Sequence, residues 1–241
     1  MSSAEPRRAG HCAPGSPRLG ARLLRARFLS TTRADGDLAV TGAEPGLTAR
    51  RRAVVDLPWT WLTQVHGADV VAVTRPGEHA GVPADAAVTA VPGAALAVTT
   101  ADCVPVVLVA DGAVGVAHAG WKGLLGGVVG NAAAAMAALG HPPTRAVIGP
   151  CIRPERYEFG AADLDAIAAR WGDDVRATTA AGTPALDVAA GVRRALAEVG
   201  VTDVADDGRC TATDAATYWS FRARREMGRV ATVAWLEEDA G

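Results

Sequence analysis

The sequence predicts a single α/β domain in which helices flank a mixed β-sheet. Strand-like and helix-like segments alternate along the chain, which is typical of layered α/β architectures. The apolar run over 104–110 ends at Asp111-Gly112, and a second strand-like run follows over 113–117. An Asp-Gly pair between two such runs indicates an antiparallel hairpin, so the sheet is not purely parallel. No internal repeat or low-complexity linker divides the 241 residues.

The individual elements follow from local composition. Runs rich in β-branched and aromatic residues, bounded by glycine or proline, predict strands over 28–33, 59–65, 70–73, 94–100, 104–110, 113–117, 145–148 and 228–236. Three longer segments predict helices. The first, 121–139, has an alanine-rich centre and stops at Gly140. The other two, 161–171 and 188–199, have the apolar spacing of amphipathic helices.

The N-terminal residues differ from the rest of the chain. Residues 1–27 contain many arginines and almost no acidic residue. We expect a flexible Arg-rich leader over 1–27 and a catalytic domain over 28–238. A mitochondrial-type presequence is an alternative interpretation of the leader.

Composition excludes several classes of function. The formal net charge of −2 argues against a nucleic-acid-binding protein, which needs a basic surface. No apolar run approaches the roughly 20 residues that span a bilayer, so we expect no membrane association. The four cysteines are widely spaced, form no CxxC pair and follow no secretory signal peptide. We therefore expect a cytoplasmic protein with reduced thiols.

Three short segments rich in small residues each contain one candidate metal ligand: His66, Cys103 and His118. Two imidazoles and a thiolate suit Zn²⁺, and three protein ligands leave a fourth position open, as in catalytic zinc sites. The predicted hairpin brings Cys103, at the start of one strand, close to His118, at the end of its partner. A metal-free thiolate–imidazolium nucleophile formed by Cys103 and His118 stays open as an alternative.

Charged residues near these segments are further candidates. Asp102 precedes Cys103, where a carboxylate can orient a metal ligand. Arg33, Lys122 and Arg222 each lie at the end of a strand or helix beside aromatic residues or glycine, and Lys122 lies at a glycine-rich helix start that can hold an anion. We interpret these three as candidates for binding phosphate or another anionic group.

The number of histidines argues against copper oxidation chemistry. A multicopper oxidase needs a His₂Cys centre and a trinuclear cluster held by many further histidines. This chain has five histidines, of which His11 lies in the predicted leader, and it has no His-x-His pair.

Together these segments resemble the laccase-domain family, also called the multicopper polyphenol oxidase or YfiH family. The segments that carry the resemblance are Gln64-Val65-His66-Gly67-Ala68-Asp69-Val70, Asp85-Ala86, Thr100-Ala101-Asp102-Cys103-Val104-Pro105, Ala117-His118-Ala119-Gly120-Trp121-Lys122-Gly123, Ile148-Gly149-Pro150-Cys151-Ile152, Tyr157-Glu158, Cys210-Thr211, Ser220-Phe221-Arg222 and Gly228-Arg229. They follow the order of the family from residue 28 to residue 236.

The resemblance implies a single-domain layered sandwich and a zinc site formed by His66, Cys103 and His118. It also implies an enzyme that phosphorolyses adenosine, inosine and methylthioadenosine to the base and pentose 1-phosphate, and that deaminates adenosine. Its small-molecule partners would be a purine nucleoside and phosphate. In this scheme Asp102 orients a ligand and Glu158 serves as proton shuttle, with the three cationic residues named above as phosphate candidates.

Two alternative functions stay open. Some members are described as peptidoglycan editing factors, which favours a Cys-His hydrolase acting on cell-wall peptides. The chain also departs from the family pattern at 37–42, at Ala49-Arg50 and at Glu155-Arg156. A non-catalytic homologue with an altered site is therefore the second alternative.

Overall fold

A computed structural model of the protein describes residues 24–39 and 46–238. Its strands are β1 (Leu24–Ser30), β2 (Trp59–Trp61), β3 (Val70–Val73), β4 (Ala86–Thr89), β5 (Ala95–Thr100), β6 (Val104–Ala110), β7 (Ala113–Ala119), β8 (Arg145–Ile148), β9 (Arg176–Thr178), β10 (Pro184–Leu186), β11 (Asp203–Asp206) and β12 (Val230–Glu238). Its α-helices are α1 (Leu47–Val54), α2 (Trp121–Leu125), α3 (Val128–Ala138), α4 (Ala161–Trp171), α5 (Val188–Glu198) and α6 (Phe221–Arg224).

Two mixed sheets form the centre of the molecule. The larger sheet has the strand order β11-β8-β6-β7-β4-β3, and the second has the order β1-β12-β5-β2. Strands β9 and β10 form a separate antiparallel pair. In the larger sheet the outer pairs, β11 with β8 and β3 with β4, are parallel, whereas the inner strands are antiparallel. This mixture agrees with the sheet predicted from the sequence.

Apolar side chains divide the molecule into layers. Leu96 and Leu236 of the second sheet pack with Val107 and Val116 of the larger sheet, so the two sheets share a core. The other face of the larger sheet is covered by α2 to α5. Helix α1 packs on the outer face of the second sheet through Leu47. The predicted layered α/β sandwich is therefore confirmed.

The predicted hairpin is also confirmed. Strands β6 and β7 are antiparallel, and their register opposes Val104 to Ala119 and Pro105 to His118. Residues 111 and 112 form the turn, and Gly112 has a φ of +75°, which glycine adopts without strain. The start of β6 and the end of β7 consequently lie side by side.

Several boundaries differ from the prediction. The first strand begins at Leu24 and pairs with β12, so residues 24–27 belong to the sheet, while residues 1–23 of the predicted leader lie outside the described part of the chain. The predicted helix over 121–139 is two helices, because the chain turns at Gly126-Gly127 and Gly127 has a φ of +88°. The strand predicted over 59–65 ends at Trp61, after which the chain leaves the sheet toward His66.

Strand β4 lacks the local sequence pattern that predicts the other central strands. Strand β4 consists of small residues, Ala-Ala-Val-Thr, and is fully buried between β3 and β7. Its pairing across the chain, rather than its own propensity, makes it a strand. None of the helices in the described ranges combines the length and the apolar character that crossing a bilayer would require.

Candidate metal site and the cavity beside it

The structure brings the three predicted ligands together. Cys103 directly precedes β6, His118 lies near the end of β7, and His66 lies in the loop between β2 and β3. Their candidate ligand atoms all lie within 4.8 Å of one another. Cys103 Sγ is 3.7 Å from His66 Nε2, and the two imidazole rings stand nearly perpendicular with their centroids 4.8 Å apart. The hairpin therefore brings Cys103 and His118 together, as predicted, and the β2–β3 loop supplies the third candidate ligand.

A buried carboxylate, that of Asp85, holds two of the ligands in place. It accepts hydrogen bonds from the backbone N–H groups of Val65, His66 and Gly67, at 3.2, 3.0 and 2.7 Å. His118 Nδ1 lies 2.8 Å from Asp85 Oδ1. Because an ionised carboxylate only accepts, this contact holds a proton on Nδ1, so in neutral His118 the lone pair that could bind a metal is on Nε2.

This carboxylate also explains the shape of the His66 loop. His66 has a φ of +58°, a left-handed conformation that is uncommon for residues other than glycine. The three N–H groups that converge on Asp85 stabilise that conformation, because such a concave arrangement of donors favours an anion. Burial acts to raise the pKa of Asp85, but hydrogen bonds from His118 and Gly67 outweigh it and lower that pKa.

Close packing leaves no room for a side chain beside the ligands. A Cβ atom at Gly120 would lie 2.7 Å from His66 Cδ2 and 3.2 Å from Cys103 Sγ. The site therefore requires glycine at position 120. The same close packing accounts for this small residue near the candidate ligands in the sequence.

The thiol and the imidazole of the β6–β7 pair influence each other's ionisation. Burial alone would raise the pKa of Cys103, but the positive charge of His118 and hydrogen bonds from both histidines lower it below the usual thiol range. Burial alone would lower the pKa of His118, but the Cys103 charge and the Asp85 hydrogen bond raise it. A thiolate at neutral pH suits both a metal ligand and a nucleophile.

The three ligands open into a cavity of about 460 Å³. That volume lies in the range of about 300–1,000 Å³ found for small-molecule sites. The lining residues are Ala39, Thr63, Gln64, His66, Thr99, Thr100, Ala101, Asp102, Cys103, His118, Tyr157, Phe221, Arg222, Met227 and Arg229. The cavity therefore combines the metal ligands with aromatic, hydroxyl and guanidinium groups.

Asp102 lines this cavity, but its carboxylate contacts neither histidine ligand. Oδ1 accepts a hydrogen bond from Thr211 Oγ1 at 2.7 Å, and Oδ2 accepts one from the backbone N–H of Arg222 at 2.6 Å. Asp102 has a φ of +96°, so the chain bends sharply just before Cys103. Asp102 was predicted to orient a metal ligand, but the carboxylate that contacts the candidate ligand His118 is that of Asp85.

Of the three cationic candidates, Arg222 reaches the cavity. Its guanidinium carbon lies 4.7 Å from the centre of the Tyr157 ring, and Nη1 donates to the backbone carbonyl of Glu158 at 2.9 Å. Burial raises the pKa of Tyr157 to about 12, so its hydroxyl is protonated near neutral pH. Tyr157 and Arg222 thus present a hydroxyl donor and a positive charge to the same space.

Two of the cationic candidates, and Glu158, lie elsewhere. Arg33 is ion-paired with Glu226 and stacks 5.2 Å from Trp219. Lys122 is exposed, with Nζ 5.5 Å from the centre of the Trp121 ring. Glu158 is exposed and lines a separate depression of about 540 Å³, which shares Arg222 with the cavity. The structure does not place these three side chains among those that line the cavity.

A model of the family described as multi-copper polyphenol oxidoreductase laccase matches residues 29–237. The chain belongs to this family. A purine nucleoside phosphorylase of Streptomyces griseus is 43% identical over 212 residues, which cover 83% of each chain. Purine nucleoside phosphorylase YfiH of Escherichia coli is 38% identical over 181 residues, 73% of each chain. A crystal structure of a Neisseria meningitidis protein superposes with a TM-score of 0.77 at 31% identity, covering 88% of this chain and 94% of that one.

Sequence reasoning missed several residues of the site. Asp85, Tyr157 and Arg229 lie in segments that resemble the family, but the sequence suggested no role for them. Asp85 lies in a segment without a neighbouring ligand, so its contacts with residues 18 to 33 positions away gave no local signal. Thr100 also lines the cavity, and its buried hydroxyl has no hydrogen-bond partner among the residues that the structure describes.

Proposed function

We propose that this protein is a zinc-dependent purine nucleoside phosphorylase that also deaminates adenosine. The observation that carries the proposal is the His66–Cys103–His118 group at the wall of a nucleoside-sized cavity, beside the guanidinium of Arg222. The names of the relatives, purine nucleoside phosphorylase, support the same substrate class.

The donor set and its surroundings fit zinc. Two imidazoles and a thiolate lie close enough to bind one ion, the thiol is held as a thiolate, and the Asp85 contact fixes the tautomer of His118. When bound there, Zn²⁺ would supply an electrophile at its open fourth position. Copper, which the family name suggests, is disfavoured because a multicopper centre needs more histidines than the five present.

The cavity residues fit the requirements of phosphorolysis. A phosphate oxygen forms a bond to C1′ of the ribose while the C1′–N bond breaks, and the electron pair leaves with the purine. The positive charge of Arg222 holds the phosphate dianion, and its stacking on Tyr157 fixes the guanidinium plane. The protonated Tyr157 hydroxyl is placed to donate a hydrogen bond to substrate.

The polar wall next to the ligands is preorganised. Gln64 Oε1 accepts from Thr99 N at 2.7 Å, and Gln64 Nε2 donates to Thr99 O at 2.8 Å. The segment before His66 is therefore tied to the end of β5. A proton-shuttle role for Glu158 in deamination stays a prediction, and it requires that side chain to reach across from the neighbouring depression.

Metal content and turnover test the proposal together. We expect about one zinc per purified chain, and conversion of adenosine with phosphate into adenine and ribose 1-phosphate, with inosine as the deamination product. Cys103→Ala should remove the metal and both activities. Cys210→Ala, which changes a buried cysteine of a separate cluster, is the matched control and should retain both. Full turnover by a metal-free Cys103→Ala protein would refute the scheme.

A metal-free cysteine hydrolase is the second candidate, and one observation favours it. Asp85, His118 and Cys103 are linked in the order carboxylate, imidazole, thiolate, which is the order of a nucleophilic triad. This candidate predicts that hydrolysis of an amide substrate, such as a cell-wall peptide, persists after exhaustive chelation and stops on alkylation with iodoacetamide. Loss of activity on chelation, restored by zinc, would exclude it.

A further inference from the structure

The arginines around the cavity differ in whether a carboxylate neutralises them. Glu226 pairs with both Arg33 and Arg224. Partial burial acts to raise the pKa of Glu226, but hydrogen bonds from Arg33, from the Ser220 N–H and from Arg224 lower it to about 2. Glu226 is therefore ionised, and these two arginines share its single negative charge.

Arg222 and Arg229 have no such partner. Across 24–39 and 46–238, neither guanidinium lies within ion-pair distance of a carboxylate. The carboxylate of Asp37 accepts a hydrogen bond from the backbone N–H of Arg229 at 2.8 Å, not from its side chain. Asp102 likewise binds the backbone of Arg222.

Backbone carbonyls hold both guanidinium groups in position. Arg229 Nη1 donates to the carbonyls of Glu226, Met227 and Gly228, at 3.2, 2.8 and 2.9 Å. Its Nε and Nη2 donate to nothing in the described protein. Arg222 is held by the Glu158 carbonyl and the Tyr157 ring. Carbonyl dipoles orient a guanidinium but leave its charge in place, so both groups keep donors for a ligand.

Arg222 and Arg229 both line the same cavity as the candidate metal ligands. Asp102 supplies the one carboxylate among the lining residues, and its two oxygens are already occupied by Thr211 and Arg222 N–H. The cavity is thus lined by two arginines that backbone carbonyls hold and that form no ion pair within the described residues. A guanidinium fork suits the oxygens of a phosphate.

We propose that Arg229 and Arg222 together form the phosphate-binding site of the cavity. This inference rests on the proposed phosphorylase function, and it replaces Arg33 and Lys122 as phosphate ligands by Arg229. In this arrangement two forks share the phosphate oxygens that do not attack C1′, so that the attacking oxygen is directed at the sugar.

Direct binding of inorganic phosphate to the zinc-loaded protein tests the proposal without turnover. Isothermal titration should give a phosphate dissociation constant that rises roughly tenfold to a hundredfold in Arg229→Gln, the loss expected for a charged hydrogen-bonding partner. Arg225→Gln removes the same charge from the same segment, but Arg225 does not line the cavity, so its affinity should stay within about twofold of wild type.

Kinetics separate a binding role from a structural one. Arg229→Gln should raise KM for phosphate by a similar factor, and it should lower phosphorolysis by a larger factor than adenosine deamination, which consumes no phosphate. Zinc content and thermal unfolding of the variant should match wild type. If Arg229→Gln folds poorly, Arg229→Lys carries the test: it keeps the charge but loses the fork, and at least a threefold loss of phosphate affinity is expected.

Two results would overturn the proposal. One is an unchanged phosphate affinity in a folded, zinc-loaded Arg229 variant. The other is an equal loss of phosphate affinity in Arg225→Gln, which would show that the total positive charge around the cavity, rather than Arg229 itself, attracts phosphate. Failure of the phosphorylase function is distinguishable from both, because it appears as phosphate binding without nucleoside turnover in the wild-type protein.

Discussion

The two walls of the cavity are built differently. The metal-ligand wall lies at the ends of β4, β6 and β7, where Asp85 is fully buried and His118 is 3% exposed. The other wall is formed by residues from 218–229, here called the arginine segment. This segment contains one short helix, the four-residue α6. In that segment Phe221 is 41% exposed and Met227 is 67% exposed.

This difference separates two tasks. Buried strands with satisfied hydrogen bonds hold ligand atoms to the precision that a metal needs. The arginine segment is anchored by the buried side chains of Tyr218 and Ser220, and its exposed side chains can change without disturbing the core. We infer that metal binding depends on the sheet and that substrate binding depends on the arginine segment, with Asp102 as the connection between them.

The strongest test of this separation is Asp85→Asn. An amide cannot accept the same set of backbone and imidazole hydrogen bonds, so both His66 and His118 lose their orientation. We expect zinc affinity to fall roughly tenfold to a hundredfold, and the free energy of unfolding to fall by about 1–3 kcal/mol. Zinc titration of the apo-protein and thermal unfolding measure these two effects.

Asp69→Asn is the control for that variant, because Asp69 is exposed and lies in the same loop region. It should keep wild-type zinc affinity. Wild-type affinity in Asp85→Asn itself would show that the buried carboxylate does not set the ligand geometry.

Asp102→Asn tests the connection. The substitution weakens the hydrogen bonds to Thr211 and to the Arg222 N–H, and asparagine tolerates the left-handed backbone at this position. We expect zinc content to stay at the wild-type value while KM for nucleoside and phosphate rises roughly tenfold, the effect of one charge-assisted hydrogen bond. A reduced zinc content, with an unchanged KM in the fraction that is loaded with zinc, would place Asp102 on the metal side instead.

The arginine segment should respond to acid through Glu226. Its pKa is lowered from the ordinary 4.5 to about 2, so its ionised form contributes stability that is fully present above pH 4.5. That contribution is lost as the pH falls from about 4.5 toward 2. Urea unfolding between pH 7 and pH 3 should therefore show a shallower acid loss for Glu226→Gln than for wild type, together with lower stability at pH 7. Parallel curves for the two proteins would contradict this prediction.

Thr100→Val should have the smallest effect on stability. The Thr100 hydroxyl is buried at the end of β5 and has no hydrogen-bond partner within residues 24–39 and 46–238. Because valine has nearly the same shape, we expect the free energy of unfolding to change by less than about 0.5 kcal/mol or to rise. A loss of more than about 1 kcal/mol in chemical denaturation would instead indicate a hydrogen bond within the folded protein.

The sequence by itself determined the layered α/β class, the β6–β7 hairpin and the three candidate ligands. Each of these depends on local order: alternating composition, an Asp-Gly turn and short motifs around His66, Cys103 and His118. The hairpin also predicted that two candidate ligands lie close together, because a two-residue turn fixes the register of the two strands.

Tertiary structure alone decided which charged residues serve the site. Arg33 and Arg222 are both phosphate candidates in the sequence, yet Glu226 pairs with Arg33, whereas Arg222 lines the cavity. Asp85 and Asp102 are both acids near small residues, yet only Asp85 contacts a ligand imidazole. Partners that lie between 18 and 193 positions apart in the chain decide these roles, and no local pattern encodes a contact that forms only when the sheets close.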